Sequence, residues 1–344
     1  MIATLLRDIR DMLVSIKLTV VLLVFSIVLI LAATLDQVNL GIWAVQEKYF
    51  RTFVIFLQRG DLSLPIFPGG YTIGGLLLFN LIGAHIYRFK LSWKKFGIWF
   101  VHIGLILLLI GELITGLLQD DYNLRLDEGQ TRNYSESFRH VELAITDTSN
   151  PDTDTVAAIP ESMLAKGDSV QIPKLPFTVM VKAYMPNSAL QMIGPKAGGG
   201  PVDADKGVGL QVVAVPRPMT YKSDERNLPS AYVELAGPEG SVGTWLVSTM
   251  VEDPQIFSYG GHTWKISLRF ARHYMPYSLT LLKFSHDKYA GTEIPKNFSS
   301  RVRLATPGGQ DDREVVIYMN NPLRYAGLTY YQAGFTNNDR TTIL

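Results

Sequence analysis

Three ionisable side chains lie inside long apolar runs of this 344-residue sequence: His85, His102 and Glu112. An ionisable group at hydrocarbon depth is costly to insert, so each is a functional candidate. His85 precedes Arg88 by three residues, about 4.5 Å inside the end of its run at the helical rise of 1.5 Å per residue. His102 follows Phe96 by six residues, about 9 Å inside its own run on the same rise. The two runs are joined by a short loop, which makes them antiparallel neighbours and puts both imidazoles in one leaflet, about one turn apart. Neutral imidazole is a good ligand for haem iron. His102 and His85 are therefore candidate axial ligands of a non-covalently bound haem b. The competing reading is a ring hydrogen-bonded to a neighbouring helix carbonyl or, for His85, one snorkelling to the interface. Glu112, preceded by Gly111, can pair with a basic group on a partner helix or reach the outer headgroups. Gly97, Gly104 and Gly111, spaced by seven, form a smooth seam for close helix contact.

The elements that position these residues are membrane spans. Leu18 to Leu35 carries no charge and is bounded by Lys17 and Asp36, long enough with its flanks to cross a bilayer. It is also long for the apolar region of a cleavable signal peptide, which favours an uncleaved anchor. A second uncharged run, Leu62 to Tyr87, contains a span from near Tyr71, after Pro65 and Pro68; the third, Phe96 to Gln119, is broken only by Glu112. The spans are predicted at about residues 16–36, 71–88 and 96–118. The loop Arg88-Phe-Lys-Leu-Ser-Trp-Lys-Lys95 holds four basic residues, and Arg7, Arg10 and Lys17 precede the first span. The positive-inside rule puts both in the cytoplasm and residues 119–344 outside. Between the first two spans, Phe50, Phe53, Val54 and Leu57 recur at helical spacing opposite Glu47, Lys48, Arg51 and Thr52. Segment 43–58 is thus predicted to be an amphipathic helix lying on the outer membrane surface or packed on the soluble domain.

From Asp120 the periodicity becomes that of strands. Phe138–Ile145, Phe177–Tyr184 and His262–Phe270 alternate or run β-branched and aromatic; shorter candidates are Leu210–Val215, Ala231–Leu235, Thr244–Ser248, Ser278–Phe284, Arg301–Leu304, Val315–Met319 and Leu328–Phe335. The fold class is three transmembrane helices (residues 1–118) followed by a large all-β extracytoplasmic domain (119–344), sandwich-like or an open barrel. Asp147–Glu161 and the Gly-rich Gly194–Pro201 are predicted loops; the latter lacks the Gly-Lys-Ser/Thr ending of a phosphate loop.

Composition excludes several functions. With 32 Lys and Arg against 31 Asp and Glu, there is no basic excess for nucleic acid. With no cysteine, thiol redox chemistry, thiolate metal sites and a Cys-x-x-Cys-His attachment motif are impossible. Neither a Gly-x-Ser-x-Gly elbow nor a His-Glu-x-x-His motif occurs. His140, His262, His273 and His286 lie on separate segments and read as surface or structural histidines.

Several blocks, taken in order, resemble ResB-type proteins of the System II (Ccs) route of cytochrome c biogenesis. They are Ser15 to Gln37, Asn80-Leu-Ile-Gly-Ala-His-Ile-Tyr-Arg-Phe-Lys90, Val101-His-Ile-Gly-Leu through Ile110-Gly-Glu112, and Leu126-Asp-Glu-Gly-Gln130. Further on come Lys283 to Thr292, Pro295 to Val302, and Met319-Asn-Asn-Pro-Leu-Arg-Tyr-Ala-Gly-Leu-Thr-Tyr-Tyr-Gln332. The resemblance implies a subunit of the bacterial inner membrane that works with a ResC/CcsA-like membrane partner. Together they move or present haem outside the membrane and attach it to apocytochrome c. It implies no activity for this chain alone, because the Trp-rich haem-handling loop belongs to the partner and the five tryptophans here are scattered. The family's transmembrane haem-ligand histidine, early in the third span, matches His102; His85 has no family role to carry over. Members commonly have a fourth span after the large domain, and none is seen here. That span is either missing or supplied by another chain, and the C-terminus is then expected outside. Two rival readings stay open: a membrane electron-transfer subunit with a b haem between His85 and His102, and a membrane-anchored scaffold that binds no haem.

Overall fold

The computed structural model describes residues 2–59, 62–88, 92–194, 202–220, 226–289, 291–292, 295–336 and 340–344. Lys90 of the basic loop and the Gly-rich stretch after Gly194 fall outside the described residues. The chain divides into two compact units, Met1–Asp120 with Thr220–Arg226, and Asp121–Met219 with Asn227–Leu344.

The first unit holds three helices long and apolar enough to cross a membrane. A short helix, α1 (Ile2–Leu13), precedes them. Ser15 then caps α2 (Ile16–Val45), its side chain accepting from the Lys17 amide at 3.2 Å. α3 (Gly70–Tyr87) and α4 (Phe96–Leu118) follow as an antiparallel hairpin. No residue of α4 is buried within the chain, and its exposed side chains are Leu, Ile, Val and Phe apart from Glu112 and Thr115; only a lipid or protein environment suits such a surface. The helical stretch to Val45 is interrupted by a kink at Gly41, whose φ of 70° is not helical. The turn beyond brings Lys48 Nζ to within 2.5 Å, and Tyr49 Oη to within 2.8 Å, of the Asp36 carboxylate.

The segment read as an amphipathic helix is corrected by the structure. Only its first half is helical: residues 43–45 end α2, and Gln46–Phe50 follow with π-type hydrogen bonds. Val54–Arg59 is a strand, paired antiparallel with Leu62–Pro68. Val54-Ile-Phe-Leu57 is apolar at consecutive positions, so it fits either period; a pairing partner several residues away, which local spacing does not report, decides for the strand. Ile55 is buried against Leu29 of α2 and Ile73 of α3. Pro65 and Pro68 are tolerated because a two-stranded ribbon has an open edge on both sides.

The second unit is built on two very long strands, Thr131–Asp147 and His262–Lys288, paired antiparallel in a seven-stranded sheet. The register between them slips twice, at Phe270/Arg272 and at Tyr274/Leu279. Pro276, which has no N–H to give a ladder, lies within the second slip. Such irregularities bend a strand, and the sheet curls there. Each half of the bent strands builds its own core. Leu143, Ile145 and Ile266 from one half pack against Val233, Leu235 and Trp245 of a separate four-stranded sheet, in a sandwich-like arrangement. The other half sets Leu279 and Leu281 against Leu126, Val302, Leu304 and Ile317.

Two sequence expectations change here. His262–Phe270 and Ser278–Phe284 are one continuous bent strand instead of two. The second part of the predicted loop Asp147–Glu161 is a strand, Thr155–Pro160, that pairs with Glu142–Asp147. Its Thr-Val-Ala-Ala-Ile core carries the β-branched signal that the Asp- and Pro-rich surroundings mask.

Candidate functional site

The hairpin of α3 and α4 brings the two intramembrane histidines into direct contact. His85 sits two residues before the end of α3 and is only 8% exposed. Its Nδ1 lies 2.8 Å from the carbonyl oxygen of Leu81, one turn back on the same helix. His102, in the second turn of α4, places its own Nδ1 3.1 Å from Nε2 of His85. The ring centroids are 4.8 Å apart and the planes perpendicular, at 90°. Trp99, three residues before His102 and hence on the same helix face, also meets His85 edge-on, at 4.8 Å. Sequence spacing puts the two histidines at a similar depth; the contact between particular nitrogens depends on helix rotation and rotamers, which spacing does not carry.

What this arrangement can do follows from the imidazole inventory. A carbonyl only accepts, so the His85 nitrogen facing Leu81 carries a proton. In a neutral ring the other nitrogen then carries a lone pair. Facing that lone pair, Nδ1 of His102 would donate, and a neutral His102 would then carry its own lone pair on Nε2, the atom a metal would take. A ligating histidine normally donates its second ring N–H to a neighbouring acceptor, which fixes tautomer and orientation. The donor set therefore fits one axial imidazole for haem iron, from His102. An iron held between the two facing nitrogens would need them about 4 Å apart, at a metal–imidazole bond of about 2 Å each.

Glu112 lies at the far end of α4, exposed on the wall of a cavity of about 740 Å³ within this unit. Gln37, Gln46, Arg51 and Tyr71 also line it. Arg51 is ion-paired with Glu47 at 3.1 Å. Among the described residues the glycine seam has no neighbour: a Cβ on Gly97, Gly104 or Gly111 would meet nothing within 4 Å. The close approach occurs at Gly83 instead, where a Cβ would come within 2.8 Å of Val14 Cγ1.

The histidines of the β-rich unit do not converge. His262 pairs with Asp147 at 2.9 Å, His140 is 3.9 Å from Glu161, His273 packs on Tyr122 and His286 stacks on Phe298. The Asp147 carboxyl is held below its usual range chiefly by Ser149 and less by His262. Among the described residues, no group of three or more His, Asp or Glu could hold a metal ion.

Sequence reasoning overlooked Asn80, on α3 five residues before His85. It is 3% exposed and donates through Nδ2 to the carbonyls of Leu13 at 2.5 Å and Ser15 at 3.1 Å. The signal was available, since an uncharged polar residue inside an apolar run must find a partner.

Comparison with known proteins adds a relationship. Residues 249–343 match the ResB-like family. A stretch of 70 residues is 34% identical to Protein NrfI of Wolinella succinogenes. That stretch is 20% of this chain and 8% of the length of that protein.

Proposed function

We propose that this ResB-like chain is a membrane subunit of a System II cytochrome c biogenesis complex, working with a ResC/CcsA-like membrane partner in haem delivery to apocytochrome c and its attachment. The observation that carries the reading is the match of residues 249–343 to the ResB-like family, in a chain whose three apolar helices precede a large β-rich unit. Haem is the cargo, and its vinyl groups are the positions that take the thiols of a Cys-x-x-Cys-His motif. This chain contributes no thiol, so its part is to hold and present. His102 offers Nε2 as an axial ligand from within the membrane, and the β-rich unit offers a docking surface for the partner or the apocytochrome. Arg88, Lys94 and Lys95, with Arg7, Arg10 and Lys17, keep the hairpin loop and the N-terminus in the cytoplasm of a bacterial inner membrane, and residues 119–344 then lie on the periplasmic side.

The test is reconstitution in a host lacking its own cytochrome c maturation routes. This chain, the partner and an apocytochrome expressed together should yield covalently bound haem on the apocytochrome, and omission of either membrane chain should abolish it. Maturation by this chain without the partner would remove the two-subunit reading. His102→Ala should lose or alter the haem absorbance of the purified complex, and His102→Gly with added imidazole should partly restore it by refilling the axial position. An unchanged spectrum and haem content in His102→Ala, at equal protein, would remove His102 as the ligand.

A further inference from the structure

We propose that His85 is a positioning residue and not a second iron ligand: the Leu81 carbonyl, His85 and His102 form a one-directional hydrogen-bond relay that locks His102 in the tautomer with its lone pair on Nε2. The role of this relay in holding haem rests on the function proposed above; the relay itself rests on the helix pair.

The direction of the relay is set at its backbone end. Leu81 offers a carbonyl oxygen at 2.8 Å from Nδ1 of His85, and an oxygen of that kind cannot donate. The proton must therefore sit on Nδ1 of His85, and Nε2 of His85 must accept. The facing nitrogen at 3.1 Å, Nδ1 of His102, then donates. If His102 carried its proton on Nε2 instead, two lone pairs would face each other at 3.1 Å. The remaining option, a doubly protonated ring, would put a charge at membrane depth, where charge is expensive. Both neutral rings thus carry the Nδ1 proton.

The relay is also held in place. The rings of Trp99 and His102 each meet His85 edge-on, with centroids 4.8 Å from its own. Trp99 and His102 are three residues apart on α4, so one helix face grips the ring that the other helix anchors. An acceptor of this kind has a chemical consequence. A carboxylate in the same place would pull the Nδ1 proton strongly and make His102 a near-imidazolate donor, at the cost of a buried charge. A neutral imidazole fixes the tautomer while polarising the ligand only mildly, which suits a group that must be held and then passed on.

The test uses the full-length chain in detergent, first without haem and then in the haem-loaded complex with its partner. Nitrogen-15 NMR of histidine-labelled, haem-free protein should find His85 and His102 as Nδ1–H tautomers. His85→Leu should shift His102 toward the Nε2–H form, and His85→Gln, whose amide oxygen accepts, should keep it as wild type. In the loaded complex, His85→Leu should retain an axial histidine but lower the iron–histidine stretching frequency and weaken haem retention about 10–100-fold, the usual effect of losing an outer-shell partner. His85→Gln should restore both. An Nε2–H His102 in the wild type would overturn the relay. So would a His85→Leu protein, folded and at equal level, that loses the axial-histidine signature as completely as His102→Ala, because His85 would then be a ligand. Nδ1–H tautomers in a wild-type complex that takes up no haem would support the relay and reject the haem reading, so the two fail separately.

Discussion

Thr19 donates its hydroxyl to Oδ1 of Asn80 at 2.6 Å, joining the first turn of α2 to the middle of α3. The other end of the amide donates to Leu13 and Ser15, so one buried side chain ties the α1–α2 joint to the helix that carries His85. Asn80→Leu matches the volume but takes the donor from the Leu13 carbonyl and the acceptor from the Thr19 hydroxyl, while the Ser15 carbonyl keeps the Thr19 amide. Stranding buried polar groups costs about 1–3 kcal/mol. The apparent Tm of the detergent-solubilised chain should fall accordingly, and an unchanged Tm would mean that the joint is held by packing alone.

Glycine positions at the start of α3 separate close contact from open space. A Cβ on Gly70 would lie 2.5 Å from the backbone oxygen of Phe50 and 2.7 Å from its Cα, and neither can step aside. On Gly74 or Gly75 it would meet nothing within 4 Å. Gly70→Ala should therefore destabilise the membrane unit by about 1–3 kcal/mol, the usual cost of overpacking. Gly74→Ala should be neutral or stabilising, since Ala is the better helix former by up to about 1 kcal/mol. Equal melting temperatures for the two variants would contradict the close approach.

The β-rich unit should be sensitive to alkali through Tyr330 and Tyr277. Their hydroxyls share a hydrogen bond of 2.7 Å, and Tyr330 also lies 2.6 Å from the Met275 sulfur. Burial, the leading cause for both, pushes the two phenols above their ordinary value. A group whose folded pKa is raised stabilises fully below its unfolded pKa, here about 10, and that stabilisation is lost as pH climbs toward the folded value. Tm should fall above about pH 10. Tyr330→Phe should flatten that fall while costing about 1 kcal/mol at neutral pH for the lost hydrogen bond. A wild-type alkaline limb no steeper than the variant's would refute the assignment.

Orientation is open to a fusion assay. Gly308 lies in the exposed turn between the strands Pro295–Ala305 and Asp312–Tyr318. With Arg88, Lys94 and Lys95 held inside, a reporter active only outside the cytoplasm should be active when fused there. Activity of a cytoplasm-only reporter at the same position would reverse the topology.

The sequence alone determined the features that depend on length and local period. Three apolar runs became three helices because crossing a bilayer needs about 20 apolar residues wherever the rest of the chain goes. Most strands of the β-rich unit were legible from alternation and branching for the same local reason. His102 and His85 could be placed in one leaflet, about one turn apart, by counting residues from the ends of their runs. Tertiary structure decided everything that turns on a distant partner. Val54–Arg59 is a strand because Leu62–Pro68 pairs with it, and Thr155–Pro160 because Glu142–Asp147 does. The long strand passes through Pro276 because its neighbour slips register there. Helical rise gives a side chain's depth but not the rotation of its helix or its rotamer. Only packing could therefore show that His102 points Nδ1 at His85, with the carbonyl of Leu81 setting the direction of the proton between them.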